Sequence, residues 1–154
     1  MRHTARVPAS AEPEEMLHAA GLRVTRPRLA VLAQVRAQPH ADTASIVEAT
    51  RAELGSVSVQ AVYDVLQALT EKGLLRRIEP PGSVARYETR VGDNHHHVVC
   101  RSCGAIADVA CAVGPAPCLD ASETHGFEID EAEVVYWGRC PDCLRAAGPA
   151  RTRT

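Results

Sequence analysis

His95-His96-His97-Val98-Val99-Cys100-Arg101-Ser102-Cys103-Gly104-Ala105-Ile106-Ala107-Asp108 is the stretch on which the reading of this chain turns. Three histidines run directly towards a Cys-x-x-Cys, and a carboxylate follows. Side chains alternate faces along an extended strand, so His95 and His97 share one face and His96 takes the other. Cys100 and Cys103 flank a tight turn that Gly104 closes, which makes half of a tetrahedral thiolate zinc site. Cys140-Pro141-Asp142-Cys143 supplies the other half. Two Cys-x-x-Cys pairs with 36 residues between them form a strong zinc signature. Protein ligands fill all four positions, so the site reads as structural; a catalytic zinc keeps one position open. His95, His97 and Asp108 make a second set, of imidazole and carboxylate, that could converge on another cation. The competing reading of these histidines is a polar surface strand.

Bulk properties narrow the rest. The 154 residues suffice for one ordinary domain or two small ones. With 45% hydrophobic and 23% charged residues, the composition is that of a soluble protein. Aromatic residues are only 3%, so the core must be built from Val, Leu, Ile and Ala. No run approaches the ~18 apolar residues of a membrane span, and no apolar stretch follows Arg2 and Arg6 as in a signal peptide. A cytoplasmic location is therefore expected, where six cysteines are better explained by metal or redox chemistry than by structural disulfides. The net charge of −2 argues against a nucleic-acid partner, but its distribution does not. Residues 1–86 carry 11 basic and 9 acidic side chains, net +2, and residues 87–154 carry 6 and 10, net −4. A mildly basic half joined to an acidic half rich in metal ligands suggests two separate tasks.

Local signals order the first half as helices followed by a hairpin. Residues 1–13 read as a loose tail and 14–20 as a short helix that Gly21 stops. Thr25 caps a second helix with Pro27 in its first turn, and Pro39 ends it. Residues 40–42 are a connection, and Asp42 or Thr43 caps a third helix with Ile46, Val47 and Thr50 on its buried side. Ser58 caps a fourth, whose stripe is Val62, Leu66 and Leu69. Strands over 74–78 and 84–88 follow, joined at Pro80-Pro81-Gly82-Ser83. This is the order of a winged helix-turn-helix, in which the helix before the hairpin enters the major groove. Arg23, Arg26 and Arg28 near the second helix, Ser58, Gln60 and Tyr63 on the fourth, and Arg76, Arg77 and Arg86 on the wing are the candidate DNA contacts. The competing reading of these residues is a solvated amphipathic bundle with scattered arginines. The second half is expected to hold strands near 95–99, 105–109 and 134–138, a loop over 111–118 and a short helix over 119–125. Cys111 and Cys118 are surplus to the zinc set and read as free thiols, or as a pair that oxidant could close.

The expected fold class is therefore α+β: an N-terminal winged helix-turn-helix domain over 14–88, a hinge over 89–94, and a small α/β domain over 95–147 with a four-cysteine zinc site. No nucleophile motif accompanies that closed site, and the zinc-deaminase pattern of His-x-Glu with Pro-Cys-x-x-Cys is absent, so an enzyme is not expected. A zinc-dependent enzyme and a zinc-ribbon interaction module remain the rival classes.

Three stretches together resemble the ferric uptake regulator superfamily: His95-His96-His97-x-x-Cys-x-x-Cys-Gly with the second cysteine pair, Ser58-Val59-Gln60-Ala61-Val62-Tyr63, and Leu22-Arg23-Val24-Thr25-Arg26-Pro27-Arg28. The likeness spans roughly residues 16–145. Gln60-Ala61-Val62-Tyr63-Asp64-Val65-Leu66 and Val84-Ala85-Arg86-Tyr87-Glu88 resemble the actinobacterial branch that controls catalase and catalase–peroxidase. The resemblance implies a homodimeric Fe(II)-dependent transcriptional repressor, bound to palindromic double-stranded DNA operators and dimerising through its second domain. It places structural Zn2+ on Cys100, Cys103, Cys140 and Cys143. It places the regulatory ion on His40, Glu88, His95, His97 and Asp108, with Mn2+, Zn2+ or Ni2+ as substitutes for Fe2+. Aspartate rather than glutamate at 108 is the choice of the family's peroxide sensors, which implies control of oxidative-stress genes such as catalase, with His40 and His95 as the residues peroxide oxidises. Glu88 departs from that pattern, since the best-known peroxide sensors have aspartate there. The alternative within the family is an iron- or zinc-concentration sensor that controls metal uptake. Many members carry a third site with a histidine eight residues before the second cysteine pair. That position is Ala132 here, so no complete third site is expected, despite His125.

Overall fold

The computed structural model describes residues 11–91, 95–110, 123–128 and 134–147. The chain divides into two compact units, residues 1–92 and 93–154.

Four helices and a small sheet make the first unit. Helix α1, Pro13–Ala19, starts on a proline, with Glu14 and Glu15 in its first turn, where their charge complements the positive end of the helix dipole. Gly21 adopts a left-handed φ of 69° and lets the Leu22 N–H return to the Leu17 carbonyl at 2.8 Å. Helix α2, Arg26–Ala37, is capped by the Thr25 hydroxyl, which accepts from the Arg28 N–H. It buries Ala30, Val31, Leu32 and Val35. Helix α3, Thr43–Leu54, is capped by Asp42, whose carboxylate accepts from the Ser45 N–H at 2.8 Å. That bond holds the Asp42 carboxyl below the usual carboxylate range, against the opposing effect of burial and with help from Arg86. Helix α4, Val59–Glu71, is capped by Ser58 and turns Val62, Leu66 and Leu69 inward, as their spacing predicts.

The wing differs from expectation in two ways. Pairing is confined to β2, Arg76–Ile78, and β3, Arg86–Glu88, because Leu74 and Leu75 are drawn into the core rather than into the ladder. The turn between them runs as expected: the Ser83 N–H bonds the Pro80 carbonyl at 2.9 Å, with Gly82 at φ 77°. The expected connection before α3 contains a strand, β1, Ala41–Asp42, which pairs antiparallel with β3. The sheet order is β1-β3-β2, so β3 is the central strand. The core unites α1 to α4 and closes on Tyr87 from β3.

In the second unit the sheet order is β5-β4-β6. Strand β4, His95–Cys100, pairs antiparallel with β5, Ile106–Ala110, and parallel with β6, Val135–Gly138. Burial alternates along β4 as the period of two requires, with His95 and His97 buried and His96 less so. A short helix that the cysteine spacing did not announce, α5, Pro141–Ala146, follows. Residues 92–94 of the expected hinge, Cys111, Cys118 and Ala132 lie outside the described residues. So do positions 119–122 of the expected helix over 119–125, and its remaining three positions are not helical. The chain thus has the expected α+β class, and the four cysteines of its second unit lie together.

Candidate metal centres and nucleic-acid face

Cys100 ends β4, Cys103 lies in the turn after it, and Cys140 and Cys143 lie at the start of α5. Their sulfur atoms lie within 4.8 Å of one another, and Cys103 Sγ and Cys140 Sγ are 3.6 Å apart. A zinc–sulfur arm of ~2.3 Å gives a tetrahedron with edges of about 3.8 Å, so the cluster fits the ion. The backbone adds to the fit. The Cys140 N–H donates to Cys100 Sγ at 3.2 Å, and Gly104, at φ 72°, returns its N–H to the Cys100 carbonyl at 2.9 Å. The N–H groups of Cys140 and Cys103 pull the Cys100 thiol down to about 6, while the neighbouring Cys140 and Cys103 sulfurs push Cys143 up to about 12. One sulfur is thus ready as thiolate, and a dication offsets the repulsion of gathering the others. Beside the cluster, the Arg101 guanidinium lies 5.1 Å from the Trp137 ring centre.

The remaining imidazole and carboxylate residues form one set in each unit. In the second unit, His97 and Asp108 face each other across the β4–β5 pair. The Asp108 carboxylate stands 3.7 Å from His97 Nε2 and 3.9 Å from His95 Nε2, and the two imidazoles meet edge to face at 4.8 Å. His96 turns to the other side and meets the Tyr136 ring. In the first unit, His40 Nε2 and the Glu88 carboxylate are 3.1 Å apart, with side chains only 10% and 1% exposed. A carboxylate this buried requires a cationic or hydrogen-bonding partner, and the imidazole provides one. Each set has the hard and borderline donors that suit first-row divalent metals.

The expected DNA contacts divide by their local engagements. Tyr63 is 49% exposed on α4, beside an exposed Val59. Gln60 donates to the Asp64 carboxylate at 2.8 Å one helical turn on. The Ser58 hydroxyl is engaged as the α4 cap, and the Arg28 guanidinium donates to the Arg23 carbonyl at 2.7 Å. Arg23 and Arg26 are exposed, Arg76 is partly so, and Arg77 forms an ion pair with Glu79. Arg86 does not behave as a wing contact: its guanidinium turns inward and donates to the His40 carbonyl at 2.9 Å. A sequence signal for this existed. Arg86 and Glu88 are two apart on one strand and so share a face, opposite the core residue Tyr87.

The chain is similar to known proteins in both sequence and fold. The sequence model of the ferric uptake regulator family matches residues 19–137. The transcriptional regulator FurA of Mycobacterium tuberculosis is 70% identical over 129 residues, which cover 84% of this chain and 88% of the relative. Ferric uptake regulation protein 2 of Mycolicibacterium fortuitum is 61% identical over 145 residues, 92% of this chain and 98% of the relative. Among solved structures, the ferric uptake regulator of Pseudomonas aeruginosa with manganese superposes with a TM-score of 0.61 at 25% identity, over 85% of this chain and 99% of that one.

Proposed function

The chain belongs to the ferric uptake regulator family, and on that premise we propose that this metal-dependent transcriptional regulator is an iron-responsive repressor. The observation that carries the reading is the distribution of donors. A four-sulfur cluster suits a structural zinc, while His40 and Glu88 in one unit, and His95, His97 and Asp108 in the other, offer separate, harder nitrogen and oxygen donors. We assign one regulatory divalent ion to those five side chains. An ion that draws ligands from both units would restrict their relative orientation. Two recognition helices of a dimer must meet half-sites about one turn, ~34 Å, apart, so such a restriction decides affinity for DNA.

The remaining proposals follow. Tyr63 and Gln60 on α4 read bases, and Arg23, Arg26, Arg76 and Arg77 bind phosphates. The protein acts as a cytoplasmic homodimer on palindromic operators. Tyr136, Trp137 and Leu144, all exposed in the second unit, are apolar surface that a second copy would cover. Among the described residues no helix is long and apolar enough to cross a membrane. The role is regulatory rather than enzymatic. The test is selection of binding sites from a random duplex pool with and without Mn(II), on zinc-loaded protein. Enrichment of a two-fold-symmetric sequence only with Mn(II) is expected. Equal enrichment without it would overturn the reading.

A second reading is that the same regulator answers hydrogen peroxide. Asp108 favours it, because an aspartate is one methylene shorter than the glutamate of the iron sensors and leaves the ion more open. Bound Fe(II) would supply a peroxide-derived oxidant beside His40 and His95. Mass spectrometry of iron-loaded protein after a peroxide pulse tests it: one added oxygen on either histidine supports it, and unmodified histidines refute it.

A further inference from the structure

Three consecutive residues of β3 converge on one histidine of α2–α3 connection, and each uses a different group. The Tyr87 carbonyl accepts the His40 N–H at 2.9 Å. The Glu88 carboxylate lies 3.1 Å from His40 Nε2. Arg86 Nη1 donates to the His40 carbonyl at 2.9 Å. His40 itself has a left-handed φ of 65°, a conformation that residues with a Cβ seldom take and that persists only where surrounding contacts impose it. Two of the three contacts come from side chains, and of those only Arg86 reaches the backbone of His40. Its Nε is also buried, without a hydrogen-bond partner among the described residues, so this guanidinium is committed to the interior and not to solvent.

We propose that Arg86 is a positioning residue for the regulatory ion: its bond to the His40 carbonyl fixes residue 40 in the left-handed conformation that aims Nε2 at Glu88. The inference rests on the assignment of His40 and Glu88 as ligands above. A pair already set in place binds an ion without first ordering the connection, and groups that orient ligands in this way typically contribute 10–100-fold in metal affinity. The positive charge of Arg86 acts in the opposite sense, since it repels a cation. The two effects therefore predict opposite outcomes when the guanidinium is removed. Asp42, the cap of α3, lies opposite Arg86 in the β1–β3 register, so backbone pairing sets the entry of α3 beside the strand that carries Arg86.

The test uses full-length, zinc-loaded protein and Mn(II), with free Mn(II) followed by electron paramagnetic resonance. Arg86→Met should weaken Mn(II) binding about 10–100-fold, leave zinc content unchanged, and recover full operator affinity once Mn(II) is saturating. Arg86→Lys, which keeps a charge and one donor, should show an intermediate loss and serves if the Met variant does not fold. In a His40→Ala background Arg86→Met should add nothing, because the effect passes through His40. Unchanged or tighter Mn(II) binding in both variants would overturn the proposal. So would lost operator affinity at saturating Mn(II) with normal ion binding, which would make Arg86 a phosphate contact. If His40→Ala alone leaves Mn(II) affinity intact, the ligand assignment itself fails, an outcome separate from failure of positioning.

Discussion

Asp108 stands directly across the β4–β5 pair from His97, with its carboxylate 3.7 Å from the ring Nε2. The register, not the loop between the strands, sets that distance, so a change of side chain at 108 alters chemistry without moving the backbone. Asp108→Asn keeps the shape and removes the charge. It should weaken Mn(II) binding at the regulatory site by at least tenfold, the usual consequence of losing one anionic partner of a divalent ion. Thermal melting should be little changed, because the Asp108 side chain is 28% exposed. Isothermal titration on zinc-loaded protein checks both statements, and unaltered affinity would remove Asp108 from the site.

The cysteine cluster predicts a dependence on zinc that is structural. Cys100→Ser should lose the ion and destabilise the second unit without abolishing its sheet, because binding energy at a closed thiolate site adds to folding energy. Zinc content by elemental analysis and near-ultraviolet dichroism of Trp137 would fall together. Stripped protein should also release fewer than four protons per zinc when reloaded near neutral pH, since of the four thiols Cys100, at about 6, is already ionised. The sign of the linkage follows. Its depressed value means that this thiolate contributes to the stripped fold above its ordinary value of 9.0 and ceases to as pH falls through about 6. Cys143, raised to about 12, acts in the opposite direction at alkaline pH. Release of all four protons would show that Cys100 is not preionised.

Ser58, the cap of α4, and Tyr63, about one and a half turns further on, should fail differently. Ser58→Ala removes the hydroxyl that accepts the Ala61 N–H at 3.1 Å, and should cost about 1 kcal/mol of stability in the first unit. Tyr63→Ala removes an exposed ring and should leave stability within about 0.5 kcal/mol. Its operator affinity should nonetheless collapse if α4 is the reading helix. Denaturant melts and anisotropy titrations separate the two. Normal DNA affinity in the Tyr63 variant would place the recognition surface elsewhere.

The helices of the first unit were legible because each carries its own local signals: Thr25, Asp42 and Ser58 as caps, Gly21, Gly55 and Gly73 as stops, and Val62-x3-Leu66-x2-Leu69 as a stripe. The β1 strand was not, because two residues hold no alternation to read and their pairing with β3 is decided by partners more than 40 positions away. Helix α5 escaped for a related reason: six residues with no buried face give no periodicity, and the motif Cys-Pro-Asp-Cys draws attention to its ligands rather than to the Cys140 cap they create. Residue types and spacing were enough to predict that the four cysteines gather, and strand alternation was enough to place His95 and His97 on one buried face. The inward turn of Arg86 was missed because arginine on a wing suggests phosphate. Only the pairing of β3 with β1 places the His40 carbonyl where a guanidinium can reach it.

Peroxide supplies the sharpest division between the two readings of the site. Asp108→Glu extends the carboxylate by one methylene while keeping its charge, so iron-dependent DNA binding should survive. The longer arm reaches further across the β4–β5 pair and should fill the position at which peroxide would approach the ion. If the protein is a peroxide sensor, the wild type loaded anaerobically with Fe(II) should lose operator binding after a peroxide pulse and gain one oxygen on the His40 or His95 peptide. The variant should keep binding and gain none. Loading with Mn(II) should protect both, because Mn(II) does not readily reduce peroxide. If the wild type also retains binding and unmodified histidines, the chain is an iron sensor alone, and the aspartate at 108 is only a shorter ligand. If binding is lost while oxidation falls on Cys111, Cys118 or the zinc cysteines, the response is a thiol reaction, and the assignment of His40 and His95 as targets is wrong.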